Sequence, residues 1–273
     1  MFGSIPVSAE SHSLTVGLAT YSLRDASIPT VIRLLQRCGV KSVAVYDSHV
    51  PIRTGTPEQC RAAARQFRDA GIALASSGVV ELSREETIMR PLFENARAAE
   101  LPVMACTFTV LPDPATLRVA EKFAREYNVR LAVHNHGPED PLFPSPRDAW
   151  RVIADCDPYL GLCLDVGHAY RAGTNPAEAI LEFSTRLYDV HLNDTAAQAG
   201  ERDHRATGLG MGRLNTAGIL QALQRIKYSH QIGLEDEMSG QDPFVGVANS
   251  LGYIRGLLAA APSEIAPQQN SHG

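Results

Sequence analysis

Short apolar runs alternate with longer amphipathic segments along the chain. The apolar runs have the length and composition of buried strands, and they lie at 15–21, 41–46, 72–80, 103–109, 129–135, 160–165, 187–192 and 231–235. Helical periodicity fills the intervals, near 28–38, 57–70, 85–99, 114–127, 146–156, 176–185, 215–226 and 242–260. Regular alternation of apolar strands with helices predicts a parallel sheet. Eight such units in succession favour an α/β fold closed as a single (β/α)8 TIM barrel.

Two connections are longer than this fold requires. One spans 136–145 after the fifth predicted strand, and the other spans 193–214 after the seventh. Long loops at the C-terminal ends of barrel strands usually shape the active site. No GxGxxG motif follows the first strand, which argues against a dinucleotide-binding fold.

Length and charge narrow the class of protein. The 273 residues are close to the roughly 250 typical of one barrel, so we expect one domain over 1–273 with flexible ends at 1–13 and 262–273. The formal net charge is -5 without any basic run, so no nucleic-acid partner is expected. No apolar run reaches membrane-spanning length, and five cysteines without a CxxC pair indicate a reducing, cytoplasmic compartment. The composition leaves homo-oligomer formation open.

Side chains that can bind metal collect where the last four predicted strands end. They are His134 and His136, Asp165 and His168, His191 and Asp194, and Glu235 and Glu237. In a closed barrel these strand ends meet at one face, so imidazole and carboxylate groups from neighbouring strands would converge. A buried lone carboxylate or imidazole is costly unless it is paired or bound to metal. A mixed set suits Mn, Co, Fe, Ni or Zn better than calcium, and a buried polar network at the barrel mouth is the alternative.

The motifs around these residues resemble those of the xylose isomerase-like TIM-barrel superfamily, which includes sugar isomerases, ketose 3-epimerases and inosose-processing enzymes. The most specific motifs are CLDVGH at 163–168, VHLND at 190–194, GLGMG at 208–212 and GLEDE at 233–237. The resemblance implies a small-molecule sugar substrate and one divalent metal ion, with Mn or Co favoured. By matching motif, the ligands would be His134, Asp165, His191 and Glu235. The phrase HNHGPED followed by SP resembles a branch related to 3-keto-glycoside lyases.

His134 departs from the family pattern, because ketose 3-epimerases carry glutamate at this position. In those enzymes two metal-bound glutamates relay a proton at the substrate carbon, and His134 removes one of these bases. One base with one acid favours β-elimination by a lyase acting on a keto sugar or 3-keto-glycoside. Isomerisation or epimerisation is the alternative, and both begin with proton abstraction next to a carbonyl and a metal-bound enediolate. The catalytic candidates are Glu235, as a ligand that also faces the proton, and His136 or His168 as the partner acid or base.

Three further residues are candidate substrate-binding residues. His49 follows the second strand and matches a family position near the site, whereas His204 and Arg213 flank the glycine-rich stretch 208–212. We expect that stretch to be an ordinary turn rather than a phosphate site, since glycine-rich loops alone are weak signals. Asp194 is expected to cap a loop or to support a metal ligand.

Two functions of other classes stay open. AP endonuclease-like DNA repair enzymes share this fold and similar HLND and DxxH motifs, but that branch uses three metals and a bridging glutamate where this chain has His134. A non-catalytic sugar-binding barrel would keep the pocket and lose the metal. Schiff-base chemistry is not expected, because the three lysines (Lys41, Lys122 and Lys227) do not fall at C-terminal strand ends.

Overall fold

The computed structural model describes residues 13–238 and 242–260. The ends predicted to be flexible, 1–13 and 262–273, lie outside the described residues except for residue 13.

Ten strands are present in the described part of the chain. They are β1 (Thr15–Ala19), β2 (Ser42–Val45), β3 (Ala73–Leu82), β4 (Val103–Phe108), β5 (Arg130–His134), β6 (Leu160–Asp165), β7 (Leu187–Leu192), β8 (Asp194–Thr195), β9 (Ala206–Thr207) and β10 (Gln231–Leu234). Strands β8 and β9 pair as a short antiparallel ribbon inside the long loop 193–214. The other eight are parallel and close a barrel in the order β1-β10-β7-β6-β5-β4-β3-β2. The predicted TIM barrel is therefore confirmed.

Nine α-helices surround the barrel within the described ranges. They are α1 (Ile28–Arg37), α2 (Pro57–Asp69), α3 (Glu86–Ala98), α4 (Pro114–Tyr127), α5 (Pro146–Ile153), α6 (Val166–Arg171), α7 (Pro176–Glu182), α8 (Thr216–Arg225) and α9 (Pro243–Ala260). Every predicted helix is present. The sequence missed α6, because six residues directly after a strand carry too little periodicity to be recognised. None of these helices is both long enough and apolar enough to cross a membrane.

The first strand ends earlier than the sequence predicted. Strand β1 stops at Ala19, and a 3-10 turn spans Thr20–Leu23. The Thr20 hydroxyl accepts a hydrogen bond of 2.8 Å from the backbone N–H of Tyr46, which joins this turn to the end of β2. Bonding between neighbouring strand ends, and not the apolar pattern, sets this boundary.

The loop 136–145 ends at a helix start that its own sequence fixes. The Ser145 side chain accepts a hydrogen bond from the backbone N–H of Asp148, and the Asp148 side chain accepts one from the backbone N–H of Ser145. Pro146 occupies the first helical position, where a missing N–H costs nothing. A cap of this kind stabilises a helix by about 1 kcal/mol. It also fixes the point at which the loop rejoins the barrel.

Strand register places the four predicted metal ligands on one side of the sheet. His134 pairs with Cys163, two residues before Asp165, and Asp165 itself pairs with His191. Strand β10 pairs with β7 so that Glu235 lies two residues beyond the partner of His191. Side chains two residues apart on a strand point the same way. The barrel therefore directs all four towards the same place.

Candidate metal centre

Four side chains from the last four barrel strands converge at the C-terminal mouth of the barrel. His134 Nε2 lies 3.2 Å from His191 Nδ1 and 3.8 Å from Asp165 Oδ2. His191 Nδ1 lies 2.9 Å from Glu235 Oε2. These side chains are at most 11% exposed. The structure thus brings together the four residues that the sequence predicted as ligands.

The spacing of these atoms fits a divalent metal ion. Nitrogen and oxygen ligands lie about 2.0–2.2 Å from zinc, so two ligands at a tetrahedral angle are roughly 3.4 Å apart. The observed separations of 2.9, 3.2 and 3.8 Å lie on both sides of that value. One atom each from Asp165, His191 and Glu235 lies within 4.8 Å of the other two. Two imidazoles and two carboxylates at this spacing form a candidate site for a transition metal.

Cys163 also reaches this cluster, which the sequence analysis did not predict. Its sulfur and one ring nitrogen each of His134 and His191 lie within 4.8 Å of one another. Burial raises the pKa of the Cys163 thiol to about 12, so the thiol is protonated at neutral pH. Metal ions bind the thiolate rather than the thiol. The two histidines and two carboxylates are therefore the better donor set.

Two buried asparagines hold Asp165 in place. Asn193 Nδ2 donates to Asp165 Oδ2 at 2.8 Å, and Asn193 Oδ1 accepts from the backbone N–H of Gly167 at 2.9 Å. Asn135 bonds both the backbone N–H and the C=O of Asp165. The other carboxylate oxygen, Oδ1, accepts the backbone N–H of His168 at 2.7 Å and caps α6. The sequence analysis did not single out these asparagines. Their places beside predicted ligands in the HNHG and HLND motifs were the signal that could have identified them.

The outer nitrogen of His191 faces a second carboxylate. His191 Nε2 lies 3.8 Å from Asp189 Oδ2, and both side chains are buried. Burial raises the pKa of Asp189. Histidines that bind metal commonly turn their second nitrogen towards a carboxylate or carbonyl, which orients the ring. The sequence analysis did not single out Asp189, although it is two residues before His191 on the same strand face.

The charges in the cluster follow from burial and from close neighbours. Burial and the neighbouring histidines hold the pKa of His134 well below its usual value, so this ring is neutral. Burial would raise the pKa of Asp165, but the ring and backbone N–H of His168 outweigh it and lower the pKa. Burial would lower the pKa of His191, but Cys163 and Glu235 raise it well above its usual value. Cys163 and Glu235 thus favour a positive charge at this position, whether a proton or a metal ion supplies it.

A cavity of about 250 Å³ opens above the cluster and is lined by three of its four side chains, His134, His191 and Glu235. One wall is polar and carries His136, His168 and Glu237 beside the cluster. The opposite wall is formed mainly by apolar and aromatic residues from the first three strand ends: Ala19, Tyr21, Ala44, Tyr46, Gly78 and Val79. The rings of Tyr21 and Tyr46 meet edge to face with centroids 4.8 Å apart. A cavity with a few convergent polar groups and an apolar wall is typical of small-molecule sites.

The two candidate acid–base histidines line this cavity but have different partners. His136 Nδ1 lies 3.1 Å from Asp140 Oδ2, whereas His168 Nδ1 lies 2.7 Å from Arg171 Nη2. Asp140 is itself fixed, because its Oδ1 accepts the backbone N–H groups of Leu142 and Phe143. Each ring keeps Nε2 free of protein partners among the described residues.

The three predicted substrate-binding residues do not all lie near the cavity. His204 stands near the cavity, with its ring 5.0 Å from that of His168 and its Nδ1 3.1 Å from Glu237 Oε2. His49 is buried and bonds through both ring nitrogens, to the Thr20 hydroxyl and to the backbone C=O of Ala26, each at 3.0 Å. It therefore has no ring nitrogen left for a substrate in this conformation.

Arg213 and the glycine-rich stretch 208–212 are held by the rest of the loop. Arg213 is exposed, and its Nε donates to the backbone C=O of Ala196 at 3.0 Å rather than reaching the cavity. Asp194 accepts the backbone N–H groups of Gly210 and Gly212 at 3.0 and 3.1 Å. These amides are consequently unavailable to a phosphate. Asp194 acts as the cap of this loop, in agreement with one of the two roles expected for it.

Comparisons with known proteins support the barrel fold. Over 78 residues the chain is 32% identical to "Probable endonuclease 4" of Mycobacterium tuberculosis. The matched segment covers 28% of this chain and 30% of that relative. The 3-keto-D-glucoside 4-epimerase of E. coli superposes with a TM-score of 0.69 at 16% identity, covering 89% of this chain and 100% of that one. A "probable 3-DHS dehydratase" of Bacillus anthracis gives a TM-score of 0.69 at 14% identity, covering 91% and 100%. The profile of the xylose isomerase-like TIM barrel family matches residues 115–257, more than half of the chain, and this protein belongs to that family.

Proposed function

We propose that this protein is a divalent-metal-dependent enzyme that removes a proton next to the carbonyl of a keto sugar or 3-keto-glycoside. The observation that carries the proposal is the convergence of His134, Asp165, His191 and Glu235 beside a cavity that three of them line. The structural relatives support the substrate class, because one is named for a 3-keto-D-glucoside and another for a dehydration.

The same four residues would hold the metal, with Mn or Co as the proposed ions. When bound there, a divalent ion would supply Lewis-acid chemistry, stabilising negative charge on a ketone oxygen. Asp165 and Glu235 supply two negative charges, which match the charge of the ion. Asn193 and Asn135 keep the Asp165 carboxylate facing the cluster.

Glu235 is the proposed base. Its Oε2 lies 2.9 Å from His191 Nδ1, and its side chain is 11% exposed, the largest fraction among the four. It therefore stands at the boundary between the cluster and the cavity, where a carboxylate can meet both a bound ion and a substrate C–H. General base catalysis by a positioned carboxylate contributes about 10²–10⁴ in rate.

His136 is the proposed acid. Asp140 beside Nδ1 holds a proton on that nitrogen, which leaves Nε2 to exchange a proton with the substrate. In a 3-keto-glycoside, Glu235 would take the proton from C2 while the bond from C1 to the aglycone oxygen breaks. For this step His136 would carry a second proton on Nε2 and would give it to that oxygen, while the proton from C2 stays on Glu235, so the products are an unsaturated keto sugar and a free alcohol.

The choice of β-elimination over epimerisation rests on His134. An epimerase must return a proton to the opposite face of the carbon, which requires a second base. His134 is buried, and its pKa lies well below the usual value, so the ring has little affinity for that proton. One carboxylate base and one histidine acid suit elimination.

The test is to incubate the Mn- or Co-loaded protein with a 3-keto-glucoside that carries a chromophoric aglycone, beside a panel of ketoses and inososes. We expect release of the aglycone, and an unsaturated keto sugar identified by NMR. His136→Gln should lower the rate about 10²–10⁴-fold without loss of metal. His230→Gln is the matched control, because His230 lies at the opposite, N-terminal end of the barrel. If the ketoses are epimerised and the glycoside stays intact, the reaction is epimerisation and not elimination. If none of these compounds reacts, the proposal is contradicted.

A second candidate is a nuclease acting at abasic sites in DNA, which the 78-residue match to endonuclease 4 favours. The matched segment covers 30% of that relative, and the net charge of -5 is unfavourable for binding a polyanion. Incision of a duplex that contains one abasic site, measured with the metal-loaded protein, separates the two candidates. Our proposal predicts no incision above that of the Asp165→Asn variant.

A further inference from the structure

A fully buried arginine stands behind the polar wall of the cavity. Arg171 lies at the end of α6 and is 0% exposed. Its Nη1 and Nη2 groups donate to both carboxylate oxygens of Glu139, at 2.8 and 2.5 Å. Nη1 also donates to the backbone C=O of Arg202 at 2.9 Å. Arg171 therefore joins the loop 136–145 to the loop 193–214.

Arg171 also bonds to the ring of His168. Nη2 lies 2.7 Å from Nδ1 of His168. A guanidinium group can only donate hydrogen bonds, so Nδ1 must be the acceptor and cannot carry a hydrogen. The single hydrogen of the neutral imidazole is then on Nε2, the nitrogen without a protein partner among the described residues. His168 consequently presents an N–H donor to the cavity that it lines.

His136 is fixed as the opposite tautomer, because its partner is a carboxylate rather than a guanidinium group. The Asp140 carboxylate can only accept a hydrogen bond, so Nδ1 of His136 carries the hydrogen and Nε2 is an acceptor. The two rings are 5.9 Å apart across the same wall. One therefore faces the cavity as a donor and the other as an acceptor.

We propose that Arg171 is a positioning residue that fixes His168 as the tautomer with its hydrogen on Nε2. His168 then serves as a hydrogen-bond donor to a substrate oxygen and not as a base, which leaves His136 as the acid–base histidine. This inference rests on the proposed function for its catalytic meaning, but the tautomers themselves do not depend on any substrate.

The loop sequence is adapted to the buried cation. A buried guanidinium is costly unless it is paired, and Glu139 supplies the paired charge. Gly137 passes beside it with φ 88, and a Cβ there would stand 2.6 Å from Nη2 of Arg171. Only glycine permits both this backbone conformation and this approach. The loop that carries His136 is thus docked on the same arginine that orients His168.

The experiment is a two-bond ¹H–¹⁵N correlation spectrum of histidine-labelled protein loaded with diamagnetic zinc, with His168→Gln and His136→Gln used for assignment. We expect a hydrogen on Nε2 of His168 and on Nδ1 of His136 in the wild type. A hydrogen on Nδ1 of His168 in the wild type would overturn the proposal, whatever the variants do. Because no substrate is present, failure here is distinguishable from failure of the proposed reaction.

Variants separate orientation from general stability. In Arg171→Met the hydrogen of His168 should no longer be confined to Nε2, while that of His136 stays on Nδ1. In Asp140→Asn the hydrogen of His136 should no longer be confined to Nδ1, while that of His168 stays on Nε2. Arg171→Lys, which still donates, should keep the wild-type tautomer and preserve activity better than Arg171→Met. With a substrate, Arg171→Met should lower kcat about 10²-fold while zinc content stays at the wild-type level, as expected for loss of an aligned donor. An unchanged His168 spectrum in folded Arg171→Met would overturn the proposal.

Discussion

Asn193 donates a hydrogen bond of 2.8 Å to Oδ2 of Asp165, the carboxylate oxygen that also faces His134 at 3.8 Å. The bond occupies one lone pair of that oxygen and leaves another directed at the cluster. Asn193 is itself fixed by the backbone N–H of Gly167, and Oδ1 of Asp165 accepts the backbone N–H of His168, so the carboxylate cannot rotate away without breaking both of its bonds. These bonds therefore hold the Asp165 carboxylate with Oδ2 directed at the cluster.

Removing this support should weaken metal binding. Asn193→Ala leaves all four ligands in place but removes one of the two hydrogen bonds that hold the Asp165 carboxylate, and loss of such a supporting bond typically costs 10–100-fold in metal affinity. The measurement is a competition titration against a chromophoric chelator. Asn215→Ala is the control, since Asn215 only caps α8 through the backbone N–H of Gly218. Equal affinities for Asn193→Ala and the wild type would show that Asp165 needs no such support.

Metal affinity should also depend on pH. Burial alone would lower the pKa of His191. Cys163 and Glu235 outweigh this effect, so without metal the pKa lies well above the usual value. A ligand nitrogen must lose its proton to bind metal, so binding should release a proton from His191. Below the raised pKa, the association constant should therefore fall with falling pH, by about tenfold per pH unit for each displaced proton.

Calorimetry in two buffers of different ionisation enthalpy gives the number of protons released. We expect about one proton per ion at neutral pH. Heats that do not depend on the buffer, with an affinity that is flat across roughly pH 6–8, would mean that His191 is already neutral.

The glycine-rich stretch should prove structural. Asp194→Ala leaves the backbone N–H groups of Gly210 and Gly212 without their acceptor, and a hydrogen bond to a charged group contributes about 1.5–3 kcal/mol. The free energy of unfolding, measured in urea, should fall accordingly. Asp203→Asn in the exposed part of the same loop is the control. Inorganic phosphate should neither stabilise the wild type nor inhibit it; saturable stabilisation by phosphate would contradict the assignment.

The sequence predicted the barrel from its short periodicities, whereas the set of four ligands was implied by the resemblance of its motifs to those of the xylose isomerase-like family. Alternation along each strand puts His134, Asp165, His191 and Glu235 on one side, and closure of the barrel brings the strand ends together. No knowledge of loop conformation is needed for that step.

The parts that sequence reasoning missed depend on loop packing. Arg171 meets Glu139 from 32 residues away, and nothing in either local sequence indicates the pair. His49 lies at the expected chain position, but its ring is turned towards Thr20 and Ala26, because a position on a strand end does not fix a side-chain rotamer. His136 and His168 looked equivalent until their partners, Asp140 and Arg171, were known.

The central claim is that one divalent metal ion binds where His134, Asp165, His191 and Glu235 meet. Its most direct test is elemental analysis of purified protein, before and after reconstitution with Mn, Co or Zn, for the wild type, Asp165→Ala, His191→Ala and the control His230→Ala. We predict close to one tightly bound ion per chain in the wild type and the control, and loss of most of it in the other two variants. A reconstituted wild type without stoichiometric metal, or Asp165→Ala and His191→Ala variants that keep it in full, would contradict the account.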